Sequence, residues 1–467
     1  MRFGPAKALA LIAAALLFVG VPPRAQEAPP QGSPFTLEQA VHTALQQNPA
    51  FRTSEDDADA ARARLKQVQS AWYPRFDFHQ DFTRGNNPVY VFGTKLTQRQ
   101  FTANDFALSQ LNTPTPLDNF QTRIDGQWRL FDSGQTLFHQ RSAKKMVTVS
   151  DFQTEQARQD LILEVVRAYY GIRVVQENEK AAEGAVKTAE ANVHRMEAMQ
   201  HAGTVVDSDL LSAKVFLAQM KDRQIRVQND LALAEMQLAR LMGLPVEQQL
   251  DLAGALTEPS AAAAGVKSLQ DWTQEALTER PLLRAAQLQE NAVDNERKAV
   301  KAEFGPTVAL FGTTERDAMT LAGPSGTNWT AGARLDFNLF AGGATKARLA
   351  EATANSSKAK HNVEWLRSGV TLEVRKAYLD AQAAEQRAAA ARDAADQAKE
   401  SLRIVQNRYD TGLTTITELL RAQTAQLDAR TLYLNALQDW QVAQAQLQRA
   451  AGVLTPESGL IAGIVKP

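Results

Sequence analysis

The sequence of 467 residues contains no cysteine, and no apolar run reaches the length of about 18 residues that a membrane-spanning helix requires. The missing cysteine excludes a disulfide framework and the acylated cysteine of a lipoprotein anchor. Any insertion into a membrane would therefore have to use β-strands. Excess basic charge is also missing, because 51 Lys+Arg against 52 Asp+Glu give a net charge of −1. We therefore expect no nucleic-acid partner.

Motifs of enzymes are missing as well. The six histidines form no HExxH or other close ligand set, and the chain has no Gly-x-Ser-x-Gly motif, P-loop or dinucleotide fingerprint. His194 and His201 share a helix face at a spacing of seven, which is typical of solvated surface. We expect no catalytic site, no bound metal and no cofactor.

The amino terminus has the features of a Sec signal peptide, which we assign to residues 1–25. Arg2 and Lys7 precede an apolar stretch, residues 8–21, that ends at a pair of prolines. Those 14 residues are too few to cross a bilayer as a helix. We expect the segment to be cleaved and the mature chain to be exported.

The chain contains an internal repeat. A shift of 209 residues aligns the two halves without gaps, from Leu130 on Leu339 to Gly243 on Gly452. Upstream of Pro74 the shift is 232, and since 232 minus 209 is 23, the first repeat holds 23 extra residues in one hairpin. The resulting segments are the first repeat at 36–244, a linker at 245–267, the second repeat at 268–453 and a C-terminal tail at 454–467.

Each repeat is predicted to contain one helix of unusual length. Apolar residues at alternating steps of four and three run from Leu161 to Met196 and again from Val370 to Val405, which is typical of a coiled-coil seam. At 1.5 Å per residue the first of these helices would be roughly 100 Å long, comparable to a periplasmic span. The predicted long helices are 135–201 and 205–242 in the first repeat, and 343–410 and 414–451 in the second.

Two shorter helices are predicted within residues 36–73. Thr36 and Gln39 form the sequence pattern of a capping box, and a second start is predicted at Asn48-Pro49, because proline suits the first helical turn. Placed end to end, the two short helices would match one long helix. A plain coiled-coil stalk would explain the helices equally well, so the segments between them decide the fold.

Between the helical segments the periodicity changes to two. Phe76 and Phe78, for example, alternate with Asp77 and His79. Strands of about ten residues with one apolar and one charged face are typical of an outer-membrane barrel, although a soluble sandwich also alternates. Trp128 and Trp329 fit either a membrane-interface belt or ordinary strand packing. The predicted strands are about 75–84, 120–131, 306–315 and 329–340.

Four strands cannot close into a barrel, and an open sheet edge is not tolerated in lipid. Two copies would give eight strands with an interior filled by side chains. Three copies would give twelve strands and leave a lumen. We therefore predict a homotrimer, the smallest assembly that conducts.

The predicted helix turns carry a local motif. Tyr409-Asp410-Thr411-Gly412 precedes Glu418-Leu419-Leu420-Arg421-Ala422, and Gly203 precedes Asp209-Leu210-Leu211-Ser212-Ala213. Together with the repeated strand and helix hairpins, this motif resembles the TolC family of outer-membrane efflux proteins over essentially the whole mature chain. The resemblance implies a mostly α fold with a β-barrel part: a trimeric 12-stranded outer-membrane β-barrel continued as a periplasmic α-helical barrel. It also implies a mixed equatorial domain formed with the linker and the tail.

The resemblance implies a passive exit duct for efflux or type I secretion, located in the outer membrane of a Gram-negative bacterium. Its partners would be outer-membrane lipid, a periplasmic membrane-fusion adaptor and an inner-membrane pump driven by protons or by ATP. The alternative from another class is a soluble periplasmic coiled-coil adaptor, which would have one helical hairpin flanked by small β-domains. A peptidoglycan-associated structural coiled coil is a further alternative.

Residues of the periplasmic mouth also follow from the resemblance. Asp209 and Tyr409 would belong to the gating network, and Thr414 stands where the family's prototype has an arginine, so the charge-assisted link to Asp209 is missing. Glu418 matches an acidic ring that favours cations, whereas Arg421 replaces a second acid. The two carboxylates alternatively do no more than stabilise helix N-termini.

The turns themselves are expected to dock the adaptor, through Gly203, Gly412, Leu210 and Leu419. The two glycines are predicted to adopt positive φ angles, because helices commonly end on a left-handed residue that glycine adopts without a steric cost.

Overall fold

The structure is a computed structural model that describes residues 34–254, 256 and 267–461. The signal peptide predicted at 1–25, much of the predicted linker and the last six residues of the tail lie outside the described residues. Among the described residues, no helix combines the length and the apolar character that a membrane crossing needs.

The described chain is mostly helical and has one four-stranded sheet. The helices are α1 (Leu37–Gln47), α2 (Pro49–Gln69), α3 (Pro88–Thr97), α4 (Leu108–Asn112), α5 (Gln135–His201), α6 (Asp207–Leu241), α7 (Leu269–Glu279), α8 (Pro281–Ala302), α9 (Ala344–Asp410) and α10 (Ile416–Ala451). The strands are β1 (Arg75–Gly85), β2 (Leu117–Phe131), β3 (Thr307–Ala318) and β4 (Ser325–Asp336).

The short helices begin where side chains satisfy free backbone amides. The Thr36 hydroxyl accepts the Gln39 backbone N–H, and the Gln39 side chain accepts the Thr36 backbone N–H, which completes a capping box. Ser268 and Asp271 form the same box at the start of α7. A proline then opens the next helix in each repeat. As a result, α1 and α2 lie end to end, as do α7 and α8.

The helices pack side by side in two tiers. Next to the sheet, α5 packs between α2 and α8, and α8 packs on α9. Farther from the sheet, α6 packs on α5, α10 packs on α9, and α10 also contacts α5. The largest apolar core lies between these tiers, where α1, the middle of α5, the end of α6 and parts of the linker and tail meet. There, Phe35 pairs with Leu252 in a parallel bridge.

The two strand hairpins form one antiparallel sheet in the order β1-β2-β3-β4. The pairing of β2 with β3, for example Ile124 opposite Thr314, joins the first repeat to the second. Within the described residues, the outer edges of β1 and β4 have no strand partner.

Several boundaries differ from the prediction. β4 spans Ser325–Asp336 rather than 329–340, because its partner β3 begins at Thr307 and the ladder therefore ends at the pair Thr307–Asp336. Phe337 continues the apolar alternation without a strand to pair with. β3 ends at Ala318, three residues later than predicted. α6 and α10 begin two residues later than predicted, because the residue before each helix is extended.

The long connection between β1 and β2 holds α3 and α4, for which the sequence pattern predicts no helix. α3 begins at Pro88, after Asn87 accepts the backbone N–H groups of Val89 and Tyr90. The connection is therefore a folded segment, and we call residues 86–116 the insertion.

Candidate functional site

The sheet has one apolar face. Residues directly opposite each other in an antiparallel pair of strands share a face of the sheet. Phe78 lies opposite Ile124, and Trp128 lies opposite Leu310. All four side chains are exposed. With Trp329 on β4 they form a continuous apolar surface, which in a soluble protein would need a cover.

The other face of the sheet is polar and hydrogen-bonded. Arg123 binds Asp125 at 3.0 Å between Nε and Oδ2, and His79 Nε2 lies 3.5 Å from the same oxygen. At the end of the sheet far from the long helices, the Asn119 amide donates to Asp317 Oδ1 at 2.7 Å. The sheet is therefore amphipathic across all four strands.

The insertion lies across the polar face at that far end. The side-chain amide of Gln98 donates to the carbonyl of Asp118 and to Asn119 Oδ1, both at 2.9 Å. Arg99 donates to the carbonyl of Thr327 on β4 at 2.8 Å. A Cβ on Gly326 would lie 1.8 Å from the carbonyl oxygen of Thr97, so glycine permits this close approach. The insertion thus spans the face from β2 to β4.

At the opposite end of the chain, two turns connect α5 to α6 and α9 to α10, and we call these turns with the adjoining helix ends the helical tip. Gly203 and Gly412 adopt φ angles of 73° and 74°, as predicted. Their backbone N–H groups bond to the carbonyls of Gln200 and Tyr409, in Schellman-type helix ends. Nothing lies within 4 Å of a Cβ built on either glycine, so the backbone angle alone favours glycine.

Leu210 and Leu419, which are expected to help dock the adaptor, lie in the interior of the helical tip. Both are buried in a core shared by α5, α6 and α10, where Met196 also packs. They belong to the heptad seam, and a seam position faces the partner helix. The exposed apolar residues of the helical tip are Val206, Leu211 and Leu413, which sequence reasoning missed. These apolar residues lie outside the heptad seam, and that position in the sequence could have predicted their exposure.

Tyr409 and Asp209 lie near each other without a hydrogen bond. Tyr409 is half-buried, and its hydroxyl points to Met196 Sδ at 3.7 Å. Burial raises the pKa of Tyr409, Arg195 opposes the shift, and the nearby carboxylate of Asp209 adds to it. Within the described part of the chain, the Asp209 carboxylate has no hydrogen bond or ion pair.

One ion pair of the helical tip has no local signature in the sequence. Arg195 Nη1 of α5 binds Asp410 Oδ1 of α9 at 2.7 Å, and this bond holds the pKa of Asp410 below its usual value. The pair joins the two repeats at their far ends. A separation of 215 residues hid it from sequence reasoning.

The three remaining candidates lie at the start of α10. Thr414 is half-buried in the turn, and the hydroxyl of its neighbour Thr415 accepts the backbone N–H of Glu418 at 3.4 Å. Arg421 Nη1 binds Glu418 Oε1 at 3.2 Å on the exposed surface. Glu418 therefore carries its own counter-charge one helical turn away.

The family model described as outer membrane efflux protein matches residues 40–244 and 272–453. The chain belongs to this family. It is 25% identical over 331 residues to the protein CyaE of Bordetella pertussis, which covers 70% of this chain and 69% of that protein. It is 24% identical over 440 residues to the outer membrane protein TolC of Salmonella enteritidis, covering 90% of this chain and 82% of that protein.

A solved structure of the Campylobacter jejuni CmeC outer membrane channel has the same fold, with a TM-score of 0.75 and 18% identity over 95% of this chain and 93% of that chain. The two stretches that match the efflux family nearly coincide with the two repeats. An efflux-family chain with two helical hairpins favours the outer-membrane channel over the soluble adaptor.

Proposed function

We propose that three copies of this chain form the exit duct of a tripartite efflux or type I secretion system. A 12-stranded barrel would lie in the outer membrane, and the helices would continue it as a tunnel into the periplasm. The observation that carries the proposal is the amphipathic sheet, which exposes its aromatic face and leaves the edges of β1 and β4 unpaired within the described residues. In lipid such edges must pair, and pairing β4 of one copy with β1 of the next satisfies them.

Three copies suit a duct better than two. Eight strands close around an interior that side chains fill, whereas twelve leave a water-filled lumen. The polar face, with Arg123, Asp125 and His79, would line that lumen. The apolar face would contact outer-membrane lipid, with Trp128 and Trp329 within it.

We place the periplasmic mouth at the helical tip. Its closing contacts would involve Asp209 and Tyr409, with Thr414 supplying no cation where the family's prototype has arginine. Asp209 supports this assignment, because its carboxylate is half-buried and has no partner within the described part of its own chain. Glu418 would face the mouth as a ring of three acids, partly neutralised by Arg421.

The adaptor would dock at the same tip, on the turns at Gly203 and Gly412, where Leu210 and Leu419 pack in the core and Val206 and Leu413 are exposed to solvent. An inner-membrane pump would supply the energy, so the duct itself is a passive conduit. The signal peptide predicted at residues 1–25 would deliver the chain across the inner membrane.

Single-channel conductance of the purified trimer in planar bilayers tests the proposal. We expect small pores from the wild type, larger pores from Asp209→Ala and reduced cation preference from Glu418→Ala. Glu385→Ala is the matched control, since it removes an exposed carboxylate midway along α9, away from the helical tip, and should change neither property. A correctly folded protein that forms no pore would overturn the duct and restore the soluble adaptor.

A further inference from the structure

Because the two repeats are equivalent, each contact between them predicts a second contact, in which every residue is replaced by its counterpart in the other repeat. α5 of the first repeat packs against α8 and α10 of the second repeat. α9 is the counterpart of α5, but within the described part of the chain it has no comparable packing against α2 or α6, the counterparts of α8 and α10. One face of α9 is therefore left without its partner.

We propose that this face of α9 binds α2 and α6 of a second copy, in the register set by the shifts of 209 and 232 residues. Asp222 then forms an ion pair with Arg387 of the neighbouring copy, and Arg64 forms one with Glu351. The proposal rests on the trimeric duct proposed above and assigns the residues that hold its copies together.

Burial differs between equivalent residues of α10 and α6. Leu420 and Leu434 of α10 are 9% and 8% exposed, and Leu420 packs in a core with residues of α5 and α6. Their counterparts at a shift of 209 are Leu211 and Ile225 of α6, which are 62% and 67% exposed. The heptad pattern thus gives α6 an apolar surface that nothing in the described chain covers.

The face of α9 shows the matching difference. Leu163 and Tyr170 of α5 are buried, whereas their counterparts Leu372 and Leu379 of α9 are exposed. Exposed apolar residues therefore lie on both of the surfaces that the proposed contact between copies would cover. Contact between copies would remove both surfaces from water.

The first ion pair follows from a hydrogen bond within the chain. The hydroxyl of Thr431 on α10 donates to Asn178 Oδ1 on α5 at 3.2 Å. At a shift of 209 residues, the counterpart of Thr431 in the first repeat is Asp222, and the counterpart of Asn178 in the second repeat is Arg387. A neutral pair inside the chain thus becomes a pair of opposite charges between copies. Within the described part of its own chain, Asp222 binds Arg226 of the same helix at 2.8 Å. Arg387 lies 3.6 Å from Asp439 of its own chain, a longer contact that the pair between copies would replace.

The second pair follows from the contact between α5 and α8. Glu296 Oε2 of α8 lies 2.9 Å from His139 Nδ1 of α5, and the side chain of Ser142 on α5 faces the same carboxylate. The shifts replace Glu296 by Arg64 and Ser142 by Glu351, so the charges are again complementary. The counterpart of His139 is Arg348, which is bound at 2.9 Å to Glu303 of its own chain. Glu351 is therefore available to form an ion pair with Arg64 of the neighbouring copy.

The missing cysteine makes a cross-linking test clean, because introduced thiols are the only ones. In the full chain in outer membranes, Asp222→Cys with Arg387→Cys and a short bifunctional thiol reagent should give a covalent trimer on a denaturing gel. Thr431→Cys with Asn178→Cys is the matched control, which should link within one chain and leave the mass of a monomer. Arg226→Cys with Arg387→Cys, displaced by one helical turn, should lose most of the covalent trimer.

Charge reversal gives a second readout. Asp222→Arg should reduce the trimer fraction in mild detergent at least twofold, and adding Arg387→Asp should restore it. A conducting trimer without the cross-link would overturn this register and leave the duct standing. A chain that forms neither trimer nor pore would overturn the duct itself. Cross-links at the displaced pair as strong as those at Asp222 and Arg387 would also contradict the register.

Discussion

The two repeats build the same helix junction with different chemistry. In the first repeat, the buried side-chain amide of Asn48 donates to the carbonyl of Leu241 at 2.8 Å, where α6 ends. In the second repeat, the residue at that position is Arg280, whose Nη1 donates to the carbonyls of Arg449 and Ala450 at 3.0 and 2.6 Å, where α10 ends. Both junctions satisfy carbonyls that a helix end leaves free.

The charged version of the junction needs additional partners. Burial lowers the pKa of Arg280, and the carboxylate of Glu373 opposes that shift. Glu373 binds Arg280 at 2.9 Å and also binds Arg449, which reaches Asp160 of the first repeat at 2.6 Å. The comparison teaches that an amide is sufficient for the junction, whereas a guanidinium requires a counter-charge. That requirement ties the second repeat to the first.

Removing the counter-charge should have the largest effect. Glu373→Gln would leave Arg280 buried without a full negative charge, and we expect a loss of about 3 kcal/mol in the free energy of unfolding. Glu164→Gln is the matched control, since Glu164 holds the equivalent position in the first repeat and is exposed, and the residue there equivalent to Arg280 is the neutral Asn48. Thermal unfolding followed by circular dichroism in detergent measures both. Equal losses in the two variants would contradict the role of Glu373.

The second-largest loss of stability should follow substitution of the glycine after α6 or the glycine after α10. Gly243 and Gly452 have φ angles of 71° and 80°. A Cβ would lie 2.4 Å from the carbonyl oxygen of Gln47 in the first case, and 2.7 Å from the Cα of Arg280 in the second. We expect Gly243→Ala and Gly452→Ala each to cost about 2 to 4 kcal/mol, from backbone strain and overpacking.

Gly203→Ala separates those two causes. Gly203 has the same backbone angle but open space around it, so we expect a cost of about 1 kcal/mol from strain alone. The same unfolding measurement applies. If Gly203→Ala destabilised the protein as much as Gly452→Ala does, close packing at the junction would not be the cause.

The strand hairpins differ most in their connections, which are 31 residues long in the first repeat (86–116) and six in the second (319–324). Replacing the insertion by the residues of the short connection would uncover the polar face from β2 to β4. In the Asp209→Ala background, where the periplasmic mouth no longer limits the current, we expect about a twofold increase in single-channel conductance, because the insertion is then the narrowest part of the pore. Arg99→Ala, which removes one attachment to β4, should give a smaller increase. An unchanged conductance in a folded trimer would show that the insertion does not narrow the lumen.

The smallest effect concerns pH. His139 Nδ1 lies 2.9 Å from Glu296 Oε2, and this hydrogen bond raises the pKa of His139 above its usual value. A raised folded-state pKa stabilises the protein fully below the unfolded value of 6.5, and the stabilisation is lost as the pH rises through the folded value. Both groups are partly exposed, so we expect less than about 1 kcal/mol. The difference in melting temperature between wild type and His139→Gln should shrink from pH 5.5 to pH 8.5, and a growing difference would contradict the assignment.

The mostly helical fold and the small sheet could be predicted because periodicity reports which face of an element is covered. The heptad seam identified Leu210 and Leu419, and both are buried, as seam positions are. That the turns near them dock an adaptor stays a prediction. The alternation that ran on through Phe337 misplaced the end of β4, because a strand also requires a partner to pair with.

Contacts between distant residues could not be predicted. Arg280 and Glu373 are ordinary charged residues in the sequence, and no local pattern shows that the guanidinium is buried. The Arg195–Asp410 pair is hidden in the same way. α3 escaped because a helix of ten residues is too short to establish a period.

The equal lengths of α5 and α9 constrain how this chain can change during evolution. Both helices have 67 residues, and both run from the same sheet to the same tip. Seven residues inserted into one of them would displace half of the tip by about 10 Å. An insertion of one residue would turn every following side chain by about 100° away from the seam. Lasting changes in length must therefore occur in both repeats and in units of seven, so the two halves of the gene are expected to lengthen or shorten together.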